Sequence, residues 1–395
     1  MLKAMRRRNG GHILSNCRRI EAVHPIKGKP RLALVFPMAP RKDVTESQLA
    51  VLAEAKVTVT FAVFGAVSAE QKDYGVAALP ELLLAIGKAG HSVSGLGHSA
   101  RPLARSVFSL RETPHADSIT AYEDYLALKH SVEAIGNRQL SFLTPIGGRE
   151  STKDEASVFD VFAALDSQLL TYAFDLSRLD DEKATKALYN LLLKKPAQLN
   201  GRTVALPPCF SASALRKVLG WINDRGFEAV SVDTLTSDSP FADAVGDSAA
   251  DAAHLLAAGY TVATRENKLL LEQTLTRAEL YGMLVPREIR QDYLTSRLLK
   301  KEAAFACNKR KDKEYYLVPG RVSSAGMLFA FDAGWPLANK HAVLMPADFA
   351  DFLEKAAAGK TVQWAMPDGK QLKRRDVFPA LAQLLLVETG KDTNG

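Results

Sequence analysis

The chain has 395 residues, of which 47% are hydrophobic and 24% charged, as in an ordinary globular protein with two or three domains. No stretch approaches the ~20 consecutive apolar residues that a membrane-spanning helix requires. Cysteine occurs only at Cys17, Cys209 and Cys307, without a CxxC pair. This usage excludes a disulfide framework and a zinc knuckle, and it favours a reducing compartment.

The net charge of +7 is concentrated near the start of the chain, where Glu21 is the only acid before Asp43. Residues 1–30 lack an apolar periodic pattern, so we expect a basic, disordered N-terminal arm. No apolar stretch typical of a secretory signal follows the basic residues, which favours the cytoplasm, with a mitochondrion or another organelle as the alternative. The arm carries three candidates for contact with an anion or a nucleic acid: Arg6, Arg7 and Arg8.

The next part of the chain alternates apolar strands with helices. The pattern predicts strands at Leu32–Phe36 and Val57–Gly65, followed by helices at Thr45–Ala55 and Leu79–Ala89 respectively. A repeated order of strand, helix and strand predicts a parallel sheet covered by helices. We therefore expect functional residues at the carboxyl ends of the strands.

This alternation continues to about Leu235. Further helices are predicted at Ile119–Ile135, Ala156–Leu165, Asp181–Leu193 and Ser213–Arg225. Further strands are predicted at Gln139–Thr144, Leu170–Phe174, Val204–Leu206 and Ala229–Val232.

A change of composition marks the end of this region. Residues 237–253 are rich in Ser, Asp and Ala and predict a linker. Residues 254–395 predict a second, smaller and basic domain of mixed α/β or α+β type. Its predicted elements are a strand at Tyr260–Thr264 and helices at Glu266–Tyr281, Arg287–Ala306, Pro346–Ala358 and near Pro379–Val387.

Several segments of the first domain, residues 31–236, match a known family in order along the chain. The stretch VTVTFAVFG (Val57–Gly65) is similar to an "ATFFV-G" strand, and AGHSV (Ala89–Val93) is similar to a "GHEI" turn. Pro145 and Gly147 match a "RPPYG" loop, and the segment through Val230–Leu235 matches a "GY-FVTVDEL" tail. Leu32–Leu235 therefore resembles the NodB-homology domain of the polysaccharide deacetylases, carbohydrate esterase family 4.

The resemblance implies an α/β fold, a distorted (β/α)7-type NodB-like barrel. It also implies the family's chemistry, in which an Asp acts as base, a second Asp and two His hold a divalent metal, an Arg orients the base and a late His acts as acid. Such a metal polarises the amide carbonyl and activates water. In this chain those positions fall on residues of other types: Pro37, Met38, Leu96, Ala100, Leu143 and Pro207.

None of these six side chains can bind a hard cation or move a proton, so we expect no catalytic residue and no metal. His91 and His98, with Asp43, are weak alternative metal ligands, because two imidazoles and one carboxylate can form a metal site. The glycine pattern that begins at Gly95 lacks the following helix and acid of a dinucleotide site. We therefore predict no cofactor.

Two basic patches in the C-terminal domain have aromatic neighbours, a combination that can bind single-stranded nucleic acid. The candidate contacts are Lys309, Arg310, Lys311, Lys373, Arg374 and Arg375.

These observations favour a catalytically inactive, deacetylase-like protein that acts by binding, as a scaffold or as a subunit of an assembly. A protein partner fits this interpretation best, and a carbohydrate or a nucleic acid remains open. One alternative is a divergent metal-dependent polysaccharide deacetylase or a related carbohydrate-active hydrolase. Another is an RNA-binding or organellar assembly protein.

Overall fold

The computed structural model describes residues 17–25, 27–66, 72–102, 118–146, 155–284, 291, 295, 343–356, 362–367 and 371–386. The chain divides into two units. The barrel unit is Arg19–Pro240, and the second unit combines Met1–Arg18 with Phe241–Gly395.

Strand β2 (Arg31–Ala39) is the central strand of the barrel unit. Its residues Leu32 to Phe36 are all buried, as expected for a strand that is covered on both faces of a parallel sheet. It pairs in parallel with β3 (Thr60–Val63), β8 (Arg202–Ala205) and β9 (Glu228–Val230).

Most of the remaining strands and helices follow the alternation predicted from the sequence, but the single strand predicted at Leu170–Phe174 is replaced by two short strands. The other strands are β1 (Arg19–Ile20), β4 (Ser92–Gly95), β5 (Phe142–Leu143), β6 (Gln168–Leu170) and β7 (Phe174–Asp175). The first helices are α1 (Thr45–Ala55), α2 (Pro80–Lys88), α3 (Ser118–Gly136) and α4 (Glu155–Ala164). They are followed by α5 (Asp181–Lys194), α6 (Pro196–Leu199), α7 (Ala212–Asp224) and α8 (Val232–Asp238).

All strand pairs of this sheet are parallel, in the order β1-β6-β5-β4-β3-β2-β8-β7, with β9 beside β2. The sheet curls, because the segment that contains β1 contacts two distant strands. Ile20 pairs with Leu170 of β6, while Ala22 forms an antiparallel bridge with Arg202 of β8. The predicted α/β fold with a curled parallel sheet is therefore confirmed.

Two segments differ from the sequence-based expectation. Residues 19–25, expected in a disordered arm, include strand β1, whose Ile20 is fully buried. The expected linker 237–253 includes the end of α8 and much of α9 (Asp247–Ala257). Both differences have a physical reason: a two-residue strand shows no periodicity, and the alanines that suggested a linker are also the strongest helix formers.

The second unit has helices α9, α10 (Arg277–Met283), α11 (Pro346–Ala356) and α12 (Arg374–Leu386) around one apolar cluster. Between them, Leu275, Leu344 and Leu372 exchange backbone hydrogen bonds in a short three-segment ladder. The strand predicted at Tyr260–Thr264 does not form, and the helix predicted from Glu266 begins only at Arg277. Of the helix predicted at Arg287–Ala306, the structure describes only residues 291 and 295, and both are helical.

Within the described part of the chain, no helix is both long and apolar enough to cross a membrane.

Candidate functional site

The carboxyl ends of the strands form the mouth of the barrel, where the sequence places the family positions. Strand β2 ends in an irregular step, because Pro37 pairs with Ala62 while Ala39 pairs with Val63. Met38 lies between these pairs with a φ of 58°, a left-handed conformation that is unfavourable for a residue with a side chain. Pro37 is buried, and the thioether side chain of Met38 is half-buried against the apolar interior of the barrel.

The end of β4 contributes the next two family positions. Leu96 is buried in the barrel interior, and its N–H donates to the carbonyl oxygen of Val63 at 2.7 Å. Ala100 packs against the same apolar cluster. Between them, Gly97 adopts a φ of 91°, and a Cβ atom at that position would lie 2.4 Å from Oδ2 of Asp124. A side chain at Gly97 is therefore excluded both by conformation and by space.

The last two family positions are also buried. Leu143 ends β5, pairs with Gly95 and is inaccessible to solvent. A Cβ atom on Gly95 would lie 2.9 Å from Cδ2 of Leu143, so the glycine permits this leucine to pack directly on β4. Pro207 is buried just after β8, and its carbonyl oxygen accepts a hydrogen bond from the N–H of Phe210.

The interior of the barrel is one apolar cluster that these positions join. Met38, Leu96 and Ala100 all belong to it, together with Phe64 and Tyr172. No group of three or more His, Cys, Asp or Glu side chains among the described residues could hold a metal ion. Among the described residues, the positions that the resemblance assigns to metal ligands are thus occupied by apolar side chains.

The two histidines proposed as alternative ligands lie at opposite ends of β4. His91 precedes the strand and contacts Val59 before β3, whereas His98 follows the strand and lies against Gly65 after β3. The four residues of β4 alone span roughly 13 Å. One ion therefore cannot contact both rings. Asp43 is exposed, and its carboxylate accepts from Nε of Arg41 at 3.3 Å.

His91 is instead a structural residue of the barrel. Its Nδ1 accepts a hydrogen bond from the N–H of Val59 at 3.2 Å, and its ring packs edge-on against Phe61. The side chain is 2% exposed, and burial lowers its pKa below the ordinary value for histidine. His98 covers Gly65, where a Cβ atom would lie 2.1 Å from the ring nitrogen Nδ1.

A few polar groups that no sequence motif indicated lie beneath the mouth. The hydroxyl of Tyr125 donates to the carbonyl oxygen of Thr144 at 3.0 Å, and Oγ of Ser94 lies 3.4 Å from Oγ1 of Thr144. Burial raises the pKa of both Tyr125 and Tyr172, so both phenols stay protonated at neutral pH. Neutral phenols and hydroxyls can donate hydrogen bonds to a ligand, but they are poor bases. The only sequence signal for this group is the position of Thr144 directly after β5.

The basic residues predicted to contact an anion or nucleic acid have three outcomes. The prediction for Arg374 is corrected, because this side chain is fully buried. It donates to Glu279 at 2.6 Å, and this ion pair neutralises the charge of the arginine beside the apolar cluster of the second unit. Lys373 and Arg375 both pair with Glu272, at 2.7 and 2.5 Å, and these contacts lower the pKa of that carboxyl, the hydrogen bond from Lys373 most strongly. The other candidates lie outside the described residues: Arg6, Arg7, Arg8, Lys309, Arg310 and Lys311.

No protein-family model and no curated protein matches the chain. Several solved structures are similar to the chain. The peptidoglycan deacetylase PdaC of Bacillus subtilis is 19% identical, covering 53% of this chain and 92% of its own, with a TM-score of 0.41.

Two further solved structures are similar to the chain to the same degree. PdaA of Bacillus subtilis, a family 4 carbohydrate esterase, is 18% identical over 60% of this chain and 89% of its own, with a TM-score of 0.42. A CE4 family pseudoenzyme of Bacillus anthracis is 16% identical over 55% of this chain and 68% of its own, with a TM-score of 0.43. These last two are members of carbohydrate esterase family 4, the family that Leu32–Leu235 resembles in sequence.

Proposed function

We propose that the barrel unit is a deacetylase-like protein without hydrolytic activity, which acts by binding. The observation that carries this proposal is the identity and burial of the residues at the mouth. Pro37, Leu96, Leu143 and Pro207 are buried, while Met38 and Ala100 pack against the same apolar interior.

Metal-dependent amide hydrolysis needs a cation to polarise the carbonyl and a base to take a proton from water. Carbon side chains and a thioether supply neither function to a hard cation. The buried tyrosines cannot replace the base, because burial keeps Tyr125 and Tyr172 protonated. The chemistry at the mouth therefore supports recognition of a ligand or partner and not proton transfer.

The partly exposed side chains at the mouth favour an apolar or protein partner over a free sugar. Met38, Tyr74, Ala100 and Ile146 lie against the barrel interior with part of each side chain accessible. Methionine and aromatic groups are enriched in the buried centres of protein interfaces. A protein partner that inserts an apolar side chain here fits this surface.

The absence of hydrolysis is tested by an acetate-release assay. We expect the full chain, incubated with acetylated chito-oligomers and with acetylated peptidoglycan in added zinc or cobalt, to release no acetate above the buffer rate. An active CE4 deacetylase assayed in parallel provides the positive control. Acetate release that disappears with a chelator would overturn the proposal and support the alternative of a divergent deacetylase.

The binding half of the proposal is tested at Met38. The tagged full chain is purified gently from its source cells, and its copurifying species are quantified by mass spectrometry. We expect Met38→Glu to lose a stoichiometric partner, because a carboxylate in an apolar contact has no means of compensating its desolvation. Leu84→Glu, a change of the same kind at an exposed position of α2, is the matched control and should retain that partner. Equal recovery with both variants would exclude the mouth as the binding surface.

A further inference from the structure

A cleft on the outside of the barrel unit lies away from the mouth. It has a volume of about 520 Å³ and is formed by α1, α7 and the segments that lead into strands β2, β3 and β9. It therefore opens at the end of the barrel where strands begin, opposite to the family positions. Its volume is within the ordinary range for sites that bind small molecules.

The floor of the cleft is apolar. It is made of four buried side chains, Val51 from α1, Leu219 and Ile222 from α7, and Phe227 before β9. Because little of these four side chains is exposed, the gain on binding comes chiefly from the hydrocarbon surface of the ligand that leaves water, at about 25 cal/mol for each Å² buried.

The charges at the rim leave an excess of cations. The carboxylate of Glu54 accepts from Nε and Nη2 of Arg216 at 3.0 and 3.1 Å, and that of Glu228 accepts from Arg31 at 2.7 Å. Glu54 is therefore paired one to one, while Glu228 shares the guanidinium of Arg31 with the carboxylate of Asp238. Lys29 and Lys56 also line the cleft and are exposed, and neither has an ion-pair partner among the described residues.

Gly220 lies on the wall of the cleft, in the interior of α7. Glycine in a helix interior is less favourable than alanine by about 1 kcal/mol. Here no steric reason requires it, because no atom lies within 4 Å of the place that a Cβ would occupy, and its φ is not positive. The missing side chain keeps open space in the cleft.

We propose that this cleft binds an amphipathic carboxylate. Its hydrocarbon body lies on the floor beside Gly220, and its carboxylate lies near Lys29 and Lys56. The apolar floor selects the body of the ligand, and the two lysines select the sign of its charge. This inference is independent of the function proposed for the mouth.

Isothermal titration calorimetry of the full chain with octanoate and with octan-1-ol tests the proposal. We expect saturable binding of octanoate at one site and binding of the alcohol that is about tenfold weaker, because the alcohol lacks the charge that pairs with the lysines. The double variant Lys29→Gln, Lys56→Gln should bind octanoate about tenfold more weakly. Lys88→Gln, at an exposed lysine of α2 outside the cleft, is the matched control and should bind normally.

Gly220 provides the steric test. Gly220→Ala should raise the midpoint of thermal unfolding and weaken octanoate binding, and Gly220→Leu should abolish binding while circular dichroism shows an intact fold. Absence of saturable octanoate binding to the natural chain would overturn the proposal. Binding that Gly220→Leu leaves unchanged, or that the alcohol matches in affinity, would overturn it as well.

Discussion

At the residue scale, the mouth of the barrel is filled by apolar side chains that pack against the sheet. Leu96 and Leu143 are buried where the resemblance expects a histidine and an arginine, and both contribute to packing of the sheet. Gly95, which precedes Leu96 and pairs with Leu143, is small enough for the Leu143 side chain to pack against its backbone. Substitutions at these positions therefore change chemistry and packing together, so restoring one family residue alone would cost stability without creating a metal site.

Burial of His91 predicts a pH dependence of stability. Because burial lowers the pKa of this ring in the folded state, the unfolded chain binds the proton more readily. Stability contributed by neutral His91 is complete above its unfolded pKa of about 6.5 and declines as the pH falls below that value.

Urea unfolding between pH 5 and 8 measures this dependence. As the pH is lowered, we expect the free energy of unfolding to decrease more steeply for the natural chain than for His91→Gln. The amide oxygen of this glutamine can still accept the hydrogen bond from the N–H of Val59. Parallel curves for the two proteins would show that His91 does not titrate on unfolding.

Residue-scale prediction from the sequence could locate the ends of strands, but it failed where two distant residues meet. Pro37, Met38 and Leu96 lie at the carboxyl ends of strands as expected. Arg374 is buried against Glu279, which is 95 residues away in the chain, and no local pattern indicates such a pair. The same holds for the contact between Tyr125 and Thr144, which depends on the packing of α3 against the sheet.

At the element scale, the two-residue strand β1 and the residues after it connect two parts of the sheet. It pairs with β6, and the residues just after it hydrogen bond to the segment around β8, with the N–H of Val23 donating to the carbonyl oxygen of Gly201 at 2.8 Å. Thr203 of β8 donates its side-chain hydroxyl to the carbonyl oxygen of Glu21 at 3.0 Å. The segment thus joins two strands that are far apart in the order of the sheet.

We predict that Ile20→Ala destabilises the protein by about 2–5 kcal/mol, the usual cost of truncating a fully buried isoleucine. Urea unfolding followed by tryptophan fluorescence and circular dichroism measures the loss. Lys27→Ala, at an exposed position a few residues later, is the control and should change stability by less than about 0.5 kcal/mol. An equally small effect of Ile20→Ala would mean that β1 contributes little to closing the sheet.

Most longer elements could be predicted from the sequence, because each carries its own periodic pattern. Helix α1 has the predicted bounds, α5 differs from prediction by one residue at its end, and α2 and α7 differ by one residue at both ends. Strand ends were less predictable, since an apolar run such as Val57–Gly65 continues beyond the four residues that pair as β3. Pairing depends on the neighbouring strand, which a local pattern does not contain.

At the scale of the whole molecule, the two units have separate interiors. The barrel cluster includes Leu96 and Phe142, while the cluster of the second unit includes Phe349 and Leu381. In the second unit, Arg18 donates to the side-chain oxygen of Asn267 at 2.7 Å, and burial lowers the pKa of Arg18 to about 10. The first described residues of the chain therefore belong to the fold of the second unit, a result that the basic composition of the N-terminus did not indicate.

We propose that the barrel holds no catalytic metal, and the metal content of the purified protein tests this proposal. The full chain is equilibrated with zinc, dialysed against metal-free buffer and analysed by elemental analysis, beside an active CE4 deacetylase treated identically. We predict substoichiometric zinc in this protein and one ion per chain in the active enzyme. Stoichiometric zinc that is lost from a variant at His91 or His98 would contradict the account and place a metal site in the barrel.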